Sequence, residues 1–375
     1  MATTTTPPLL GVRALNRATL ARQRLLRRAP RTELSVAGAV EQLVGLQAQN
    51  VKPPYHALAA RLESFDPGEL SALMASRAVA RLVTLRSTLH THTAEDCLTL
   101  RPLLQSGGPD HELRNFRAGL AGVDLDLLRT LTRELVEEEP RTMAQLREAL
   151  LSHWPDADPF ALSVAARCVL PLVQTTPRGL WGRSGQVTLT TAERWFGGTA
   201  EREATASELV LRYLAAFGPA SVKDMQTWSG LTRMRPVFER LRSQLAVFRN
   251  EKGVELFDLP DAPRPGEDTP APPRFLPEFD NLLLSHADRG RVVARDEHKA
   301  LTWRGNQSYP TLLLDGFLAG IWQLAESGGT VTLTVRTFAP PAPAQRDAIA
   351  AEGERLLTAM SPAASYDIRF GTVPD

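Results

Sequence analysis

Apolar residues recur at three- and four-residue spacing along several short stretches of this chain, and each group of such stretches is followed by two short runs of β-favouring residues. The pattern is clearest in its third occurrence. An apolar-periodic helix is predicted over Ser207–Phe217, a break at Gly218-Pro219, then a helix Val222–Trp228 capped by Ser221, and another over Leu231–Leu245. Strands Ala246–Asn250 and Val254–Leu259 follow, around the turn Glu251-Lys252-Gly253. The second occurrence reads Asp124–Glu138, Thr142–Trp154 and Pro159–Leu170, with strands Leu172–Thr176 and Val187–Thr191 joined by the loop Pro177–Gln186. The first is longer, with helices Leu15–Arg28, Ser35–Leu46 and Pro67–Arg77 before strands near Arg81–Leu85 and Thr88–His92. Helices followed by a hairpin, three times over, predict three tandem winged-helix domains. The expected bounds are 9–122, 123–200 and 201–260.

Beyond residue 260 the pattern changes. Pro260–Pro273 contains six prolines and three acids, a composition that continues neither helix nor strand, so residues 261–273 are expected to be a stiff linker. Short β-favouring runs follow at Phe275–Leu276, Asn281–Ser285, Arg291–Ala294, Thr311–Leu314, Phe317–Leu324 and Thr330–Thr337, with Asp315-Gly316 as a hairpin turn. A helix Pro343–Met360 and a strand Tyr366–Thr372 end the chain. Residues 274–375 are expected to form a β-barrel-like domain with a C-terminal helix, and the fold class is α+β.

Composition narrows the functions. At 43% hydrophobic and 6% aromatic the chain is that of a globular protein, and no stretch approaches the 18 apolar residues that cross a bilayer. Met1–Pro8 lacks a basic start and an apolar segment, so no signal peptide is expected, and the location predicted is cytoplasmic and nucleoid-associated. Cys97 and Cys168 have neither a second Cys nor a His at ligand spacing, which predicts buried thiols and no metal site. Basic and acidic residues number 43 and 42, so bulk charge cannot hold nucleic acid and any DNA contact needs a one-sided patch. Only Lys52, Lys223, Lys252 and Lys299 are lysines; the rest are arginine, whose fork suits phosphates and guanine edges, though a GC-rich coding sequence favours arginine as well. Arg13, Arg17, Arg22, Arg24, Arg27, Arg28 and Arg31 fall within 19 positions that contain no acid, which predicts an anionic neighbour for this segment.

The chemistry concentrates at Gln47-Ala48-Gln49. Val36, Val40, Leu43 and Val44 step along one helical face, and where the next aliphatic is due stands Gln47. A buried amide with unmet hydrogen bonds costs about 1–3 kcal/mol, so it needs a reason. Pro53-Pro54 end the helical pattern, and on extended backbone residues 47 and 49 share a face and converge on one pocket. The plainer alternative is a Gln47 that caps the helix end and a solvated Gln49. Arg86, Thr88 and His90 occupy alternate positions of a predicted wing strand, hence one face. Glu41 and Glu63 are the nearest fallback acids.

The stretch Leu43-Val44-Gly45-Leu46-Gln47-Ala48-Gln49, with Pro53-Pro54-Tyr55, Leu58, Arg61-Leu62 and Leu85-Arg86-Ser87-Thr88-Leu89-His90, resembles the AlkZ/YcaQ family of bacterial DNA glycosylases. Leu276-Pro277-Glu278-Phe279-Asp280-Asn281, continuing through Ser285-His286-Ala287-Asp288-Arg289, is similar to the barrel of the same family. The resemblance implies three winged helices and a barrel, excision of alkylated purines, unhooking of interstrand crosslinks in some members, and a Gln-apolar-Gln or Gln-apolar-Asp motif at the catalytic centre. The second Gln resembles the AlkZ branch rather than the YcaQ branch. Gln47 and Gln49 are then the catalytic pair; an amide does not titrate, so each positions a water rather than acting as a base, which suits a cationic leaving base such as N7-alkylguanine or 3-alkyladenine. Arg61, Arg86, Thr88, His90, Lys223, Arg233, Arg235, His286, Asp288 and Arg289 are the expected DNA contacts. The expectation is monofunctional hydrolysis of double-stranded DNA carrying alkylated or crosslinked purines, by a monomer with no metal, cofactor or membrane partner. Rival readings are a winged-helix transcriptional regulator without activity, and a family member that recognises distorted DNA without cutting it.

Overall fold

The computed structural model describes residues 6–294, 303–304, 307–361 and 365–373. Most of Met1–Pro8, Lys299 and the end of the chain lie outside them. The fold is mixed α+β, and five of the six helices read in the second and third groups start at a side-chain cap; the sixth, expected from Leu231, starts only at Arg235 without one. Asp124, Thr142 and Asp158 cap Leu125–Glu138, Met143–Leu151 and Pro159–Val169, each side chain accepting an N–H of the first turn. Thr205 and Ser221 cap Ala206–Phe217 and Val222–Ser229 with reciprocal capping boxes. The third long helix is split: Arg235–Leu241 is α-helical, and Arg242–Gln244 tightens to a 3-10 turn.

The predicted hairpins form, but not as three separate wings. Val79–Val83 and Leu89–Thr93 pair antiparallel, and so do Leu172–Gln174 and Leu189–Thr191. Arg81 and Leu82 also pair with Gln174 and Val173, so the first and second hairpins merge into one five-stranded sheet. The third hairpin, Ala246–Asn250 with Glu255–Asp258, is joined by the N-terminal strand Leu9–Leu10 in a separate sheet.

Among the described residues the C-terminal region is an open five-stranded sheet rather than a closed barrel. Ser365–Thr372 lies at one edge, parallel to Thr330–Thr337; then come Phe317–Ser327, Thr311–Leu314 and Arg274–Leu276 in antiparallel order. Closure is replaced by cover. Pro343–Met360 and Pro53–Arg61 supply side chains to a core shared with Phe275, Trp322, Leu333 and Val335. Two runs read as strands are not: Asn281–Leu284 is a short helix capped by Asp280, and 291–294 is turn and bend. An Asp before three leucines satisfies the helix N-terminus as readily as it ends a strand.

The first helix runs Val12–Arg22, shorter at its C-terminal end than its apolar pattern implied, because Arg24 turns left-handed at φ 57°. This helix does not face an outside anion. Six of the seven arginines between 13 and 31 bond to carboxylates of the chain itself: Arg13 and Arg17 to Asp315, Arg22 to Asp258, Arg27 to Glu33, Arg28 to Glu352 and Arg31 to Glu69. The anionic neighbour is real, but it is the rest of the protein. The proline-rich stretch has no regular element, and it is packed rather than free: Arg17 donates to the Thr269 carbonyl at 2.7 Å and Arg264 to Asp258 at 2.6 Å. Among the described residues no helix is long and apolar enough to cross a membrane.

Candidate active site

The glutamine segment lies where two hydrophobic cores meet. Helix Val36–Gln42 stops four residues before Leu46, because Val44 and Gly45 both take positive φ, 53° and 91°. Val44 enters the core of the third helical group, whereas Leu43 and Leu46 enter the core beside the C-terminal sheet. Gly45 is required here: a Cβ would sit 2.3 Å from the His92 ring. The backbone leaves this turn extended, and Leu46–Gln47 pairs with His90 and Thr91 as a two-residue strand. Gln47 is therefore not the next residue of a helical face, as its spacing suggested, but the second residue of a strand.

Extended backbone puts alternate residues on one side. Ala48 is fully buried, with its N–H on the Leu89 carbonyl at 2.7 Å and its carbonyl held by Arg81 Nη2 at 2.6 Å. Gln47 and Gln49 point the other way and line one open cavity of about 590 Å³, Gln47 with 8% exposure and Gln49 exposed. Their oxygens take long contacts, Gln47 Oε1 from Arg86 Nη2 at 3.4 Å and Gln49 Oε1 from the Leu89 N–H at 3.5 Å. Each amide oxygen keeps a second acceptor site for water. Further walls come from Met143, Arg167, Leu172, Gln174, Val187 and Leu189 of the second helical group, and from Phe279 and Leu284.

Four consecutive residues of the C-terminal segment bear on this site. Glu278 accepts from Asn50, Phe279 lines the cavity, Asp280 pairs with Arg61 at 2.7 and 2.8 Å, and Asn281 donates to the carbonyls of Leu43 and Gly45 at 3.2 and 2.7 Å. The two stretches singled out in the sequence, more than 200 residues apart, thus brace one another. Asn281 holds the turn that releases the glutamines from the helix.

The predicted DNA contacts separate into three groups and one lone residue, Arg233. Arg61, His90 and His286 are buried and committed to the interior: Arg61 to Asp280 and to Gln23 Oε1 at 2.9 Å, His90 Nδ1 to the Thr88 carbonyl at 3.0 Å, and His286 Nε2 to the Phe217 carbonyl at 3.0 Å. Burial holds both imidazoles far below the usual histidine pKa, so they stay neutral. These three are corrections, because buried side chains already bonded within the protein do not reach a duplex. Arg86 and Thr88 do line the glutamine cavity, but not from a strand. Arg86 lies in a 3-10 turn at φ 53°, Ser87 at φ 61°, and the strand starts only at Leu89. Lys223, Arg235, Asp288 and Arg289 line a second open cavity of about 740 Å³; Asp288 pairs with Lys252 at 2.7 Å, and Arg235 with Glu255 at 2.6 Å. Arg233 is exposed at φ 58°.

Arg86 bridges regions. Its guanidinium donates to the Trp228 carbonyl at the end of helix Val222–Ser229 as well as to Gln47, and burial, reinforced by Arg289, lowers its pKa to about 10. Neither fallback acid reaches the glutamines: Glu41 and Glu63 are exposed and line another surface or none. The carboxylate in this cavity is Glu112, which accepts from Ser87 Oγ and pairs with Arg167. Nothing in its sequence surroundings marked it, since it belongs to the short helix Pro109–Asn115, which the apolar pattern did not reveal. Cys97 and Cys168 are buried free thiols, and burial pushes Cys168 up to about 12. Among the described residues no group of three or more His, Cys, Asp or Glu could hold a metal ion.

Comparison with known proteins agrees with this architecture. The family model described as DNA glycosylase AlkZ-like matches residues 40–359. A curated relative, the interstrand DNA cross-link repair glycosylase of Streptomyces sahachiroi, is 24% identical over 337 residues, covering 81% of this chain and 86% of the relative. The solved structure of Streptomyces sahachiroi DNA glycosylase AlkZ superposes with a TM-score of 0.77 at 19% identity, over 96% of this chain and all of that one, so the fold is shared. The class is thereby defined as DNA glycosylase. Within it, this chain belongs to the AlkZ-like family.

Proposed function

We propose that the protein is a monofunctional glycosylase that hydrolyses the N-glycosidic bond of cationic alkylated purines in double-stranded DNA, N7-alkylguanine and 3-alkyladenine among them, and unhooks interstrand crosslinks. The observation that carries this reading is a pair of amides, Gln47 and Gln49, facing one open cavity from extended backbone on either side of a buried alanine. One water donating to both amide oxygens is held and aimed at the anomeric carbon, and orientation alone is a large part of such a barrier. Neither amide removes a proton; as the base departs with the electrons of the N-glycosidic bond and the water oxygen bonds to the anomeric carbon, the water's proton passes to solvent in the open cavity. The reaction therefore relies on a leaving base that is already positively charged and departs neutral. Phe279, Leu284 and Met143 offer apolar surface for the base, and the cavity is open enough to admit a bulky adduct without full extrusion. Arg86, Thr88, Lys223, Arg233 and Arg289 are the DNA contacts we retain, with Arg167 added from the cavity wall. The cross-link activity named for the Streptomyces relative favours crosslinked purines as substrates. The three helix groups act as winged-helix modules, the first two sharing a sheet, and the protein works as a monomer in the bacterial cytoplasm.

The test incubates the protein with one oligonucleotide carrying 7-methylguanine and another carrying a nitrogen-mustard crosslink, followed by hot alkali. Wild type is expected to yield strand breaks. Gln47→Ala and Gln49→Ala lose about 100-fold or more in rate with DNA binding retained, the magnitude expected for removing a preorganised polar contact. A wild type that binds both DNAs and cuts neither would overturn the catalytic reading in favour of a recognition protein.

A further inference from the structure

Beside the glutamine segment, hydrogen-bond donors without acceptors gather around one small void that shares only Gln174 with the lining of the glutamine cavity. Arg81 is 3% exposed, and one of its nitrogens, Nη2, holds the Ala48 carbonyl; its Nε and Nη1 have no partner. Arg178 Nε and Trp195 Nε1 are likewise buried and unpartnered. Arg81, Arg178 and Trp195 all line the same void of about 10 Å³, together with Met74, Gln174 and Thr176. No Asp or Glu lines it, and among the described residues neither arginine pairs with a carboxylate. Arg77 adds a third guanidinium, 4.4 Å over the Trp195 ring.

A buried guanidinium without a counter-charge costs several kcal/mol, and the buried Arg22, Arg28 and Arg61 each meet a carboxylate. A water would accept two of these N–H groups and leave the buried Arg81 charge uncompensated. We propose that the void is a binding site for a monatomic anion of chloride size. About 10 Å³ is the space of one small particle, so phosphate, sulfate and carboxylates do not fit. Gln174 Oε1 is also unpartnered, and a half turn of that amide presents its NH₂ to the same point. The anion balances the repulsion between Arg81 and Arg178, which together with burial lowers Arg81 to about 10. Through Arg81 it also steadies the carbonyl between the two glutamines.

The site is tested without reference to the reaction, so its failure leaves the glycosylase reading intact. Crystals of the full chain grown without halide are soaked in sodium bromide and measured at the bromine edge. An anomalous peak between Arg81 and Arg178 is expected, and a water-only map with no anomalous signal overturns the proposal. In solution without DNA, chloride replaces acetate at one fixed, low ionic strength. The wild-type Tm rises saturably by about 2 °C or more, and Arg178→Met abolishes the rise. Equal Tm values in both salts overturn the site. Should Arg178→Met fail to fold, the wild-type bromide map decides.

Discussion

Two sets of arginines in this protein have opposite surroundings. Between Arg13 and Arg31 the chain is basic without a single acid, yet six of those side chains pair with carboxylates of the same molecule, four of them with partners more than 200 residues away. Arg77, Arg81 and Arg86 are scattered among apolar residues, and their guanidiniums donate to backbone carbonyls and an amide. In the first set charge serves cohesion. In the second, among the described residues, it meets no carboxylate. Local charge density therefore says that a segment has an anionic neighbour, and only the fold says whether that neighbour is the protein.

The contrast can be broken at several points. The largest effect is expected at the buried pairs: Arg61→Met strands the buried Asp280 and should cost about 3–5 kcal/mol in denaturant unfolding, whereas Arg22→Met, in the cohesive set, leaves Asp258 its second partner Arg264 and should cost less. If either variant kept full stability and lost only DNA affinity, the assignment of these arginines to the interior would fail. Next comes the pH dependence. His56 and His92 are neutral in the fold, lowered to about 4 by burial, and His90 and His286 are lowered as well. The unfolded chain binds these protons near pH 6.5 and the folded one does not. Stability is thus complete above pH 6.5 and falls as the pH drops towards 4, by about 1.4 kcal/mol per unit for each histidine. Chemical melts at pH 7, 6 and 5 check the slope, and a flat profile would contradict it.

Arg86→Met should act on the other set, slowing lesion cleavage by about 10- to 100-fold while the Tm changes little, since this guanidinium orients Gln47 and abuts the cavity. Arg86→Lys should restore part of the rate. At the small end, Arg27 and Glu33 are both largely exposed, and Arg27→Gln should change stability by no more than about 0.5 kcal/mol and DNA affinity hardly at all. A large loss of affinity there would restore the N-terminal arginines as a DNA patch.

The sequence alone determined what local chemistry decides. Capping residues and the 3.6-residue period placed the helices of the second and third groups to within a few residues, and Asp315-Gly316 marked its hairpin, with both residues at positive φ. The Gln-Ala-Gln segment stood out because an amide occupied an aliphatic position, although the actual cause of its geometry is the left-handed turn at Val44-Gly45. What required the tertiary structure was every pairing across long separations: the merged sheet of the first two hairpins, the open C-terminal sheet, the burial of Arg61, His90 and His286, and the arrival of Glu112 beside the glutamines. Periodicity reports which face of an element is apolar, and caps report where it starts. Neither carries information about which buried surface meets which, because that is set by the sum of many packing and charge contacts between residues hundreds of positions apart.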